Sequence, residues 1–411
     1  MRILQLCKKY PYPLKDGESI AVTNIAAALT DLGAEVTLLA MNTNKHAFDT
    51  SKINQTLPYY KAKYTVNVDT DVKILPALKN LFSSDSYHIS RFISTDFEKK
   101  LIHLLKESTF DIIQLETLFL APYIDTIRKY SSALIVMRAH NVEHEIWERI
   151  TTNTSSPIKK KYLRHLTSKL KNFEKSMLHK YDLLLPITHK DYNTFKKLGF
   201  NGNAQIVPIG MNISKYTPDY SSFKKDLSLS FIGSLDWMPN IEGLKWFLDN
   251  IWSKVHQQFP DIHLHIAGRN TPDWVKNINQ DNIIVHGEVD DATQFINQHS
   301  IMVVPLLSGS GMRAKILEGM ALGKVIISTS IGIEGIPAKN KGEVMVADDP
   351  KEFIEAIDWC LNQNGTLEKM GTKAKQFIHE NYDNIEITQD LLATYHKAIP
   401  KINKNTKIGA H

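Results

Sequence analysis

Two cations and one carboxylate lie beside a glycine-rich turn in the stretch Pro305–Gly323, which has the sequence PLLSGSGMRAKILEGMALG. The apolar run Ser300–Leu306 predicts a buried strand before the turn, and a helical pattern follows it. Arg313 and Lys315 fall in the first turn of that helix, and Glu318 falls one turn later. Because N–H groups at a helix N-terminus lack partners and the helix dipole favours negative charge, this arrangement is typical of an anion site.

The chemistry of these side chains favours a diphosphate that is attached to a sugar. Two cations at a helix N-terminus suit a diphosphate, and glycine lets a phosphate approach the backbone. Glu318 cannot bind phosphate as a carboxylate, but it can accept hydrogen bonds from sugar hydroxyls. The stretch is therefore predicted to hold a nucleotide-diphosphate sugar. The turn residues that would approach this donor are two serines and two glycines, Ser308, Gly309, Ser310 and Gly311.

An alternative interpretation makes the same helix purely structural. At about 100° per residue its apolar side chains form one stripe, and Lys315 and Glu318 lie off that stripe, where they would form an ordinary solvated face. The stretch contains neither a GxGxxG nor a GxxxxGKS sequence, so no phosphate-binding motif separates the two interpretations. The apolar stripe consists of Ile316, Leu317, Met320 and Ala321.

The composition limits the class of protein. A length of 411 residues allows two or three domains, and 43% hydrophobic with 23% charged residues is ordinary for a globular chain. The two cysteines, Cys7 and Cys360, form no disulfide framework and have no metal-ligand spacing, which favours a reducing compartment. A net charge of +5 suits anionic ligands or an anionic surface and does not indicate a nucleic-acid partner.

Neither a membrane span nor a signal peptide is predicted. No segment reaches the roughly 18 consecutive apolar residues that a spanning helix needs. The start, MRILQLCKKY, has the pattern of a strand, because its apolar run is too short for a signal peptide and no cleavage site follows. We therefore expect a cytoplasmic location, either free or peripheral at the inner face of the membrane.

Strand and helix patterns alternate along the chain in two blocks. Repeated strand–helix units with strands apolar on both faces are typical of doubly wound parallel sheets. We predict an α/β protein with two doubly wound, Rossmann-like domains facing across a cleft, over residues 1–210 and 211–384. The interval Ser51–Ser94 lacks periodicity and is predicted as long loops and short helices on the binding face. The predicted strands are Arg2–Cys7, Glu35–Ala40, Asp111–Glu116, Ala133–His140, Asp182–Thr188 and Ala204–Gly210, then Ser228–Ser234, His263–Arg269, Asn282–Glu288, Ser300–Leu306, Val325–Ser330 and Glu343–Val346.

The segment Lys159–Lys180 combines an apolar stripe with a basic face. Its other face carries most of eight Lys and Arg residues against one acid, Glu174. A helix packed on the sheet with a solvated basic face would explain this pattern, and so would contact with anionic lipid head groups. Both interpretations are kept. The stripe at helical spacing consists of Leu163, Leu166, Leu170, Phe173 and Met177.

Residues at the carboxyl ends of the predicted strands are further candidates, because ligands of doubly wound sheets bind there and, with two domains, in the cleft between them. His140 ends one strand and His144 follows four residues later, but no third ligand has a suitable spacing, so no metal site is predicted. Glycines at strand ends would also serve tight turns. The candidate donor-binding positions at these ends are Gly17, Gly233, Asn240, Arg269 and Val289.

With these residues in view, the chain resembles the GT-B-fold glycosyltransferases of family 4, a retaining, nucleotide-sugar-dependent group. The resemblance covers nearly the whole chain. It implies a nucleotide site on the C-terminal domain, an acceptor site mainly on the N-terminal domain, and a final helix at about 385–400 that packs back on the first domain. It is strongest in the segments FIGSLDWMPNIEGLKWF, HIAGR, HGEVDD, VVPLLSGSGMRAKILEGMALGKVIISTSIGIEGI, RAHNVEHEIWER and VPIGMN.

Several residues match family positions with defined roles. Glu318 matches the second carboxylate of the family's Glu–seven residues–Glu motif, which holds the ribose hydroxyls. His140 resembles the histidine that faces the donor sugar, and Gly17 matches the first-loop glycine beside the phosphate and acceptor. The backbone around Val289 would meet the base.

Three positions depart from the family pattern. Ser310 stands where the motif has its first carboxylate, close to the donor sugar, and Glu18 replaces the second first-loop glycine. The loop GSLDWMPN lacks the usual arginine, although Lys245 follows it. Arg313 and Lys315 are therefore expected to take over the phosphate role at the helix N-terminus.

The resemblance implies metal-independent hexosyl transfer with retention, and no cofactor beyond the nucleotide sugar as co-substrate. As the nucleoside diphosphate leaves the anomeric carbon, charge builds on the β-phosphate, where Arg313, Lys315 and the Gly309–Gly311 amides would stabilise it. The acceptor would attack on the same face and pass its proton to the leaving phosphate. The expected acceptor is a glycan or a lipid-linked molecule, and the expected product is a cell-surface or exported polysaccharide.

Two other functions remain open. A sugar-nucleotide epimerase of the same fold would need acid–base carboxylates, for which Glu116, Glu143 and Glu318 are candidates. A catalytically silent sugar-nucleotide-binding partner of another transferase is suggested by Ser310 in place of the usual glutamate.

Overall fold

The protein was analysed as a computed structural model, which describes residues 1–14, 17–71, 83, 85–225, 227–280, 282–309, 312–362 and 365–405. The chain divides into two compact units. The first unit is Met1–Met211 together with the chain from Asn384 onward, and the second unit is Asn212–Asp383. The observed boundary lies one residue after the predicted one.

The first unit contains a parallel sheet with the strand order β3-β2-β1-β4-β5-β6-β7. Its central strands are continuous apolar runs because helices cover both faces of the sheet, so that hardly a side chain of β1, β4, β5 or β6 reaches solvent. The strands are β1 (Arg2–Cys7), β2 (Glu35–Thr43), β3 (Ala62–Val68), β4 (Ile112–Leu115), β5 (Leu134–Ala139), β6 (Leu183–Pro186) and β7 (Asn203–Ala204).

Two sequence predictions for this sheet were wrong. The interval Ser51–Ser94 contains β3, which pairs with β2 and forms the edge of the sheet among the described residues. Its side chains are partly exposed, so it has no continuous apolar run to identify it. The predicted strand Ala204–Gly210 shortens to β7. Val207 still donates its N–H to the Pro186 carbonyl at 2.9 Å, but the next residue is a proline, which has no N–H to continue the ladder.

Helices connect these strands and supply the outer layers of the first unit. The predicted basic helix begins at Pro157 rather than Lys159, because the Ser156 hydroxyl caps it by accepting from the Lys159 N–H. The helices are α1 (Gly17–Asp31), α2 (Tyr87–Ser90), α3 (Thr95–Glu107), α4 (Ile124–Tyr130), α5 (Glu143–Thr152), α6 (Pro157–Met177) and α7 (His189–Lys197).

The second unit repeats the architecture with the parallel order β10-β9-β8-β11-β12-β13. Every strand predicted for this part is present, shortened at its ends, and β11 and β12 are buried along their whole length. The prediction of two doubly wound α/β sheets is confirmed. The strands are β8 (Ser228–Ile232), β9 (His263–Ala267), β10 (Ile283–Gly287), β11 (Ile301–Val304), β12 (Val325–Ser328) and β13 (Met345–Val346).

The helices of the second unit include a short one, α12, that follows β11 and the glycine-rich turn. Its apolar stripe is buried in the core, as the 3.6-residue period requires. The helices are α8 (Met238–Phe247), α9 (Ser253–Gln258), α10 (Asp273–Lys276), α11 (Ala292–Gln298), α12 (Ala314–Ala321), α13 (Pro350–Asn362) and α14 (Thr366–Tyr382).

The last helix, α15 (Asn384–Asn405), follows the second unit in sequence but belongs to the first. Tyr395 is fully buried and donates its hydroxyl to Gln114 Oε1 at 2.6 Å, and Asn384 Nδ2 donates to the Asn24 carbonyl at 2.6 Å. The helix therefore packs on α1 and on the sheet of the first unit. None of the helices within the described ranges is long and apolar enough to cross a membrane.

In each sheet the strand order reverses beside the first strand, between β1 and β4 and between β8 and β11. The loops that leave the carboxyl ends of such a strand pair run to opposite faces of the sheet and leave a crevice, where ligands of this architecture bind. The two switch points therefore position the candidate residues described next.

Candidate functional site

The β8/β11 switch point brings together residues from two strand-to-helix connections. Gly233 and Asn240 follow β8, Gly309 follows β11, and Arg313 and Lys315 lie at the start of α12. We call these five residues the second-unit site. All five were candidates in the sequence analysis, and the structure brings them close together in the second unit.

Lys315 is the centre of the hydrogen-bond network in this site. Its ammonium donates to Asn240 Oδ1 at 2.9 Å and to the Ile232 carbonyl at 3.2 Å. Asn240 Nδ2 in turn donates to the Ser234 carbonyl at 2.8 Å, so one amide orients both the lysine and the loop after β8. A Cβ on Gly233 would lie 2.7 Å from Asn240 Nδ2 and 3.2 Å from Lys315 Nζ, so a side chain here would displace these two groups from the network.

The electrostatics of the site make Lys315 sensitive to an arriving anion. Burial, and secondarily the positive charge of Arg313, lower the pKa of Lys315 to about 7. Near neutral pH its amine is therefore only partly protonated when no anion is bound. A phosphate beside it would favour the charged ammonium and raise the pKa again.

Arg313 precedes the helix rather than lying in its first turn, which corrects the predicted position. It is the N-cap residue of α12 in an extended conformation, and its side chain supplies no capping hydrogen bond to the helix. Arg313 is only 6% exposed, and its guanidinium carbon lies 5.6 Å from the Trp237 ring centre. A Cβ on Gly309, where φ is +115°, would lie 2.9 Å from Arg313 Nη2. Glycine at this turn thus lets the guanidinium pack against the backbone.

Glu318 lies one turn along α12 and is half-buried. Burial raises the pKa of its carboxyl, and a hydrogen bond from the Tyr216 hydroxyl to Oε1 at 3.4 Å acts in the opposite direction. Tyr216 was missed by the sequence analysis, because it lies in a linker-like segment 102 positions away. Since Lys315 and Glu318 are both enclosed and hydrogen-bonded, an ordinary solvated face does not describe this side of the helix.

The remaining predicted donor positions lie around the second-unit site. Ser308 donates its hydroxyl to Glu242 Oε2 at 2.9 Å, and Arg269 donates from Nε to Ser234 Oγ at 2.9 Å in the loop after β8. Val289 follows β10, which β9 separates from β8, so it is the most distant of the set. Ser310 and Gly311 lie outside the described residues.

The switch point of the first unit holds a buried carboxylate, Glu116, directly after β4. Its Oε2 accepts from His140 Nε2 at 2.9 Å and lies 3.5 Å from Arg138 Nη1. Its Oε1 accepts hydrogen bonds from the side-chain amides of Gln5 and Gln114. His140 is thus held at the carboxyl end of β5 by a fully enclosed partner.

Charge balance keeps this group ionised. Although burial disfavours a charged carboxyl, the Arg138 charge and the His140 hydrogen bond together lower the pKa of Glu116. An ionised Glu116 accepts the Nε2–H of His140 and so fixes which ring nitrogen carries the proton. The sequence analysis did not select Arg138. Its position as a charged residue inside the apolar run ALIVMRAH was the signal that could have identified it.

His140 and His144, which were considered as a metal pair, contact different carboxylates, Glu116 and Glu174. His144 Nδ1 lies 2.6 Å from Glu174 Oε2, and Glu174 also accepts from the backbone N–H groups of Glu143 and His144 at 3.0 and 3.2 Å. Glu174, predicted on the basic face of α6, is therefore a buried cap of α5. Glu143 begins this helix, and burial raises its pKa to about 7.

Gly17, in the first loop of this unit, is exposed. Gly17 is the first residue of α1, and no described atom lies within 4 Å of a Cβ built on it. Packing within the described chain therefore does not require glycine at this position. Glu18, which replaces the second glycine of the family pattern, forms an ion pair with Lys8 at 3.0 Å.

Comparison with known proteins begins with the part of the chain that carries the second-unit site. Residues 226–363 match the family model described as "Glycosyl transferases group 1". A Klebsiella pneumoniae protein described as an uncharacterized 44.6 kDa protein in cps region is 26% identical over 268 residues. That match covers 61% of this chain and 66% of the relative, so it spans slightly less than two thirds of the relative's length.

Solved structures share the fold over nearly the whole chain. The Anabaena protein Alr3699/HepE, in complex with UDP, is 14% identical with a TM-score of 0.67, over 97% of this chain and 100% of that one. Sucrose-phosphate synthase from Thermosynechococcus elongatus is 14% identical with a TM-score of 0.69, over 98% and 100%. A glycosyltransferase from Rickettsia africae is 14% identical with a TM-score of 0.65, over 97% and 98%. The predicted resemblance to GT-B glycosyltransferases is confirmed, and membership of family 4 stays a prediction.

Proposed function

We propose that the protein is a retaining glycosyltransferase that uses a nucleotide-diphosphate sugar, whose diphosphate binds at the second-unit site. The observation that carries this proposal is the convergence of Lys315 and Arg313 on the start of α12, at the β8/β11 switch point. This geometry lies within the region that matches group 1 glycosyl transferases. A helix N-terminus, two enclosed cations and a glycine loop together form a site for a doubly charged anion.

The same residues would stabilise the leaving group. When the glycosidic bond to the diphosphate breaks, negative charge grows on the β-phosphate. Arg313 offers a planar set of donors, and Lys315 gains its full charge as the phosphate raises its pKa from about 7. Because the protein itself supplies this positive charge, we propose that the transfer is metal-independent.

Glu318 is the proposed partner of the ribose hydroxyls. Its carboxyl is half-buried and already accepts one hydrogen bond from Tyr216, which leaves acceptor capacity for a sugar. Structural neighbours with the same fold were solved with UDP and with UDP-glucose. Uridine diphosphate sugars are therefore the first donors to test.

His140 is the proposed first-unit residue of the transfer step, and this unit is the proposed acceptor side. With its Nε2–H donated to Glu116, a neutral imidazole keeps Nδ1 as an acceptor for a sugar hydroxyl. A contact that strengthens as the anomeric carbon becomes cationic would act on turnover rather than on donor affinity.

A surface of the first unit supports a lipid-linked acceptor and peripheral membrane contact. Ile158, at the start of α6, is 86% exposed, and Ile150, near the end of α5, is 43% exposed. Three lysines, Lys159–Lys161, follow Ile158 directly. Exposed isoleucines beside lysines suit insertion at the interface of an anionic bilayer. The relative from a cps region supports a role in cell-surface polysaccharide synthesis. The proposed location is the cytoplasm, at the inner face of the membrane.

A donor screen with product analysis tests this function. The purified chain would be screened by thermal shift against UDP- and GDP-sugars, and then incubated with the binding donor, with and without an extract of lipid-linked acceptors. Acceptor-dependent transfer with the anomeric configuration retained is the expected result. Hydrolysis or epimerisation of the donor without acceptor would favour the epimerase, and donor binding without turnover across a broad acceptor panel would support the silent partner.

Two variants locate the site in the same assay. Glu318→Gln should weaken donor binding, whereas Lys245→Met, which removes an exposed cation from α8, should not. Equal donor affinity in the two variants would reject Glu318 as the partner of the ribose hydroxyls.

A further inference from the structure

Three histidines come together on the second unit without belonging to the second-unit site. His265 lies in β9, His286 lies in β10, and His299 directly follows α11, before β11 begins. His299 is at the amino end of the central strands, whereas the second-unit site lies at their carboxyl ends. We call these three residues the histidine cluster.

The ring nitrogens of the histidine cluster are close enough to share one ligand. One nitrogen from each ring lies within 4.8 Å of the other two. His265 Nδ1 is 2.9 Å from His286 Nε2, and the ring centres of His265 and His299 are 4.0 Å apart. In a tetrahedral site with metal–nitrogen bonds of ~2.0–2.1 Å, the nitrogens are separated by roughly 3.4 Å. The observed spacing therefore needs only small side-chain rotations.

His299 provides a second and independent indication of a ligand. The residue is 5% exposed, and its Nδ1 lies 3.0 Å from Ser228 Oγ. Its Nε2 is buried and has no hydrogen-bond partner among the described residues. A serine that accepts the Nδ1–H leaves the lone pair on Nε2, which is the form of imidazole that binds metals.

The surroundings fit a metal held by imidazoles on one side and open on the other. The Phe295 ring packs against His286 at 5.3 Å and against His299 at 4.8 Å, measured between ring centres, which limits the motion of both rings. His286 is exposed, so solvent reaches the fourth side of the cluster.

We propose that His265, His286 and His299 form a binding site for one divalent transition metal ion, with zinc as the best match. Three imidazole nitrogens and one water complete a tetrahedral shell, and imidazole ligands suit zinc better than magnesium or calcium. The ion ties β9, β10 and the segment before β11 together. The site is separate from the second-unit site, because it lies at the other end of the central strands. The sequence analysis predicted no metal site, because it weighed the pair His140 and His144 and the two cysteines, and the spacings of 21 and 13 residues within the histidine cluster match no zinc motif.

In the test, the full chain is first stripped of metal with a chelator. It is then titrated with Zn²⁺ alone, and calorimetry follows the binding. We expect one tight site per chain, and at least tenfold weaker binding in His286→Gln and in His265→Gln. His263→Gln is the matched control, because His263 lies on the same strand but outside the cluster, with its ring 6.3 Å from that of His265. Binding in this control should equal that of the wild-type chain.

A second measurement separates metal binding from misfolding. Zn²⁺ should raise the melting temperature of the wild-type chain and of His263→Gln but not of His286→Gln. His286 is the most exposed of the three cluster histidines, so its replacement should disturb folding least. UDP binding should be equal in all variants. Absence of a one-equivalent site, or equal Zn²⁺ affinity in wild type and His286→Gln, would overturn the proposal. Equal losses in His263→Gln and His286→Gln would overturn it as well.

Discussion

Replacing Lys315 by methionine removes the buried amine at the centre of the second-unit site and keeps a side chain of similar length. Burial places the pKa of this amine at about 7, instead of its ordinary value of 10.5, while no anion is bound. A bound diphosphate raises that pKa, so the complex holds more protons than the free protein at pH values above 7. Donor affinity must then fall as the pH rises from 7 through the pKa of the complex.

The size of the effect follows from the same values. Above the free pKa, each pH unit weakens binding up to tenfold, or about 1.4 kcal/mol, until the pKa of the complex is reached. We expect at least a tenfold loss of affinity between pH 7 and pH 9 in the wild-type chain. Lys315→Met should abolish this slope and weaken binding at pH 7 by ~1.5–3 kcal/mol, the range for a charged hydrogen bond.

Calorimetry with UDP-glucose at pH 7, 8 and 9 measures both quantities. A nucleotide sugar is preferable to UDP, because its diphosphate has no terminal phosphate that titrates near pH 6. Lys245→Met is the matched control and should retain the slope, since Lys245 is exposed on α8. Melting curves must accompany the titrations, because the variant leaves Asn240 Oδ1 and the Ile232 carbonyl without their donor. Affinity independent of pH in the wild-type chain, or an unchanged slope in folded Lys315→Met, would refute the reasoning.

Four further results are expected. Arg313→Ala should weaken UDP or GDP binding by ~1.5–3 kcal/mol, and calorimetry that shows no change in Arg313→Ala and Glu318→Ala would reject the site. His140→Ala should keep nucleotide affinity but reduce turnover tenfold or more, roughly 1.4 kcal/mol, and normal turnover in a folded variant would exclude it from the mechanism. Ile158→Ser should reduce sedimentation with anionic vesicles, which should itself fall with salt; equal sedimentation with neutral vesicles at low salt would contradict membrane contact. Because burial raises the pKa of Glu143 from 4.5 to about 7, ionisation of this carboxyl destabilises the fold as the pH rises through this range. In urea unfolding, the free energy of unfolding should fall between pH 4.5 and pH 7.5 by up to about 3 kcal/mol less in Glu143→Gln than in the wild-type chain. Equal falls in the two proteins would contradict this prediction.

Features that depend on neighbouring residues could be predicted from the sequence. Apolar runs predicted the buried strands, because strands covered on both faces leave no polar positions. The turn at Gly309 and the cations Arg313 and Lys315 lie within seven positions, so one glycine turn and one helix start bring them together whatever the rest of the fold does. The edge strand β3 escaped prediction for the converse reason, since six of its seven residues remain partly or fully exposed.

Tertiary structure alone decided which distant side chains meet, because contacts across a parallel sheet depend on strand order and register rather than on spacing along the chain. Lys315 meets Asn240 from 75 positions away, and Tyr216 meets Glu318 across 102. Glu116 was noted in the sequence only as one of three possible acids. The adjacency of β4 and β5 makes it the partner of His140. The histidine cluster follows the same rule, since β9, β10 and the chain before β11 bring its three rings together only once the second sheet has formed.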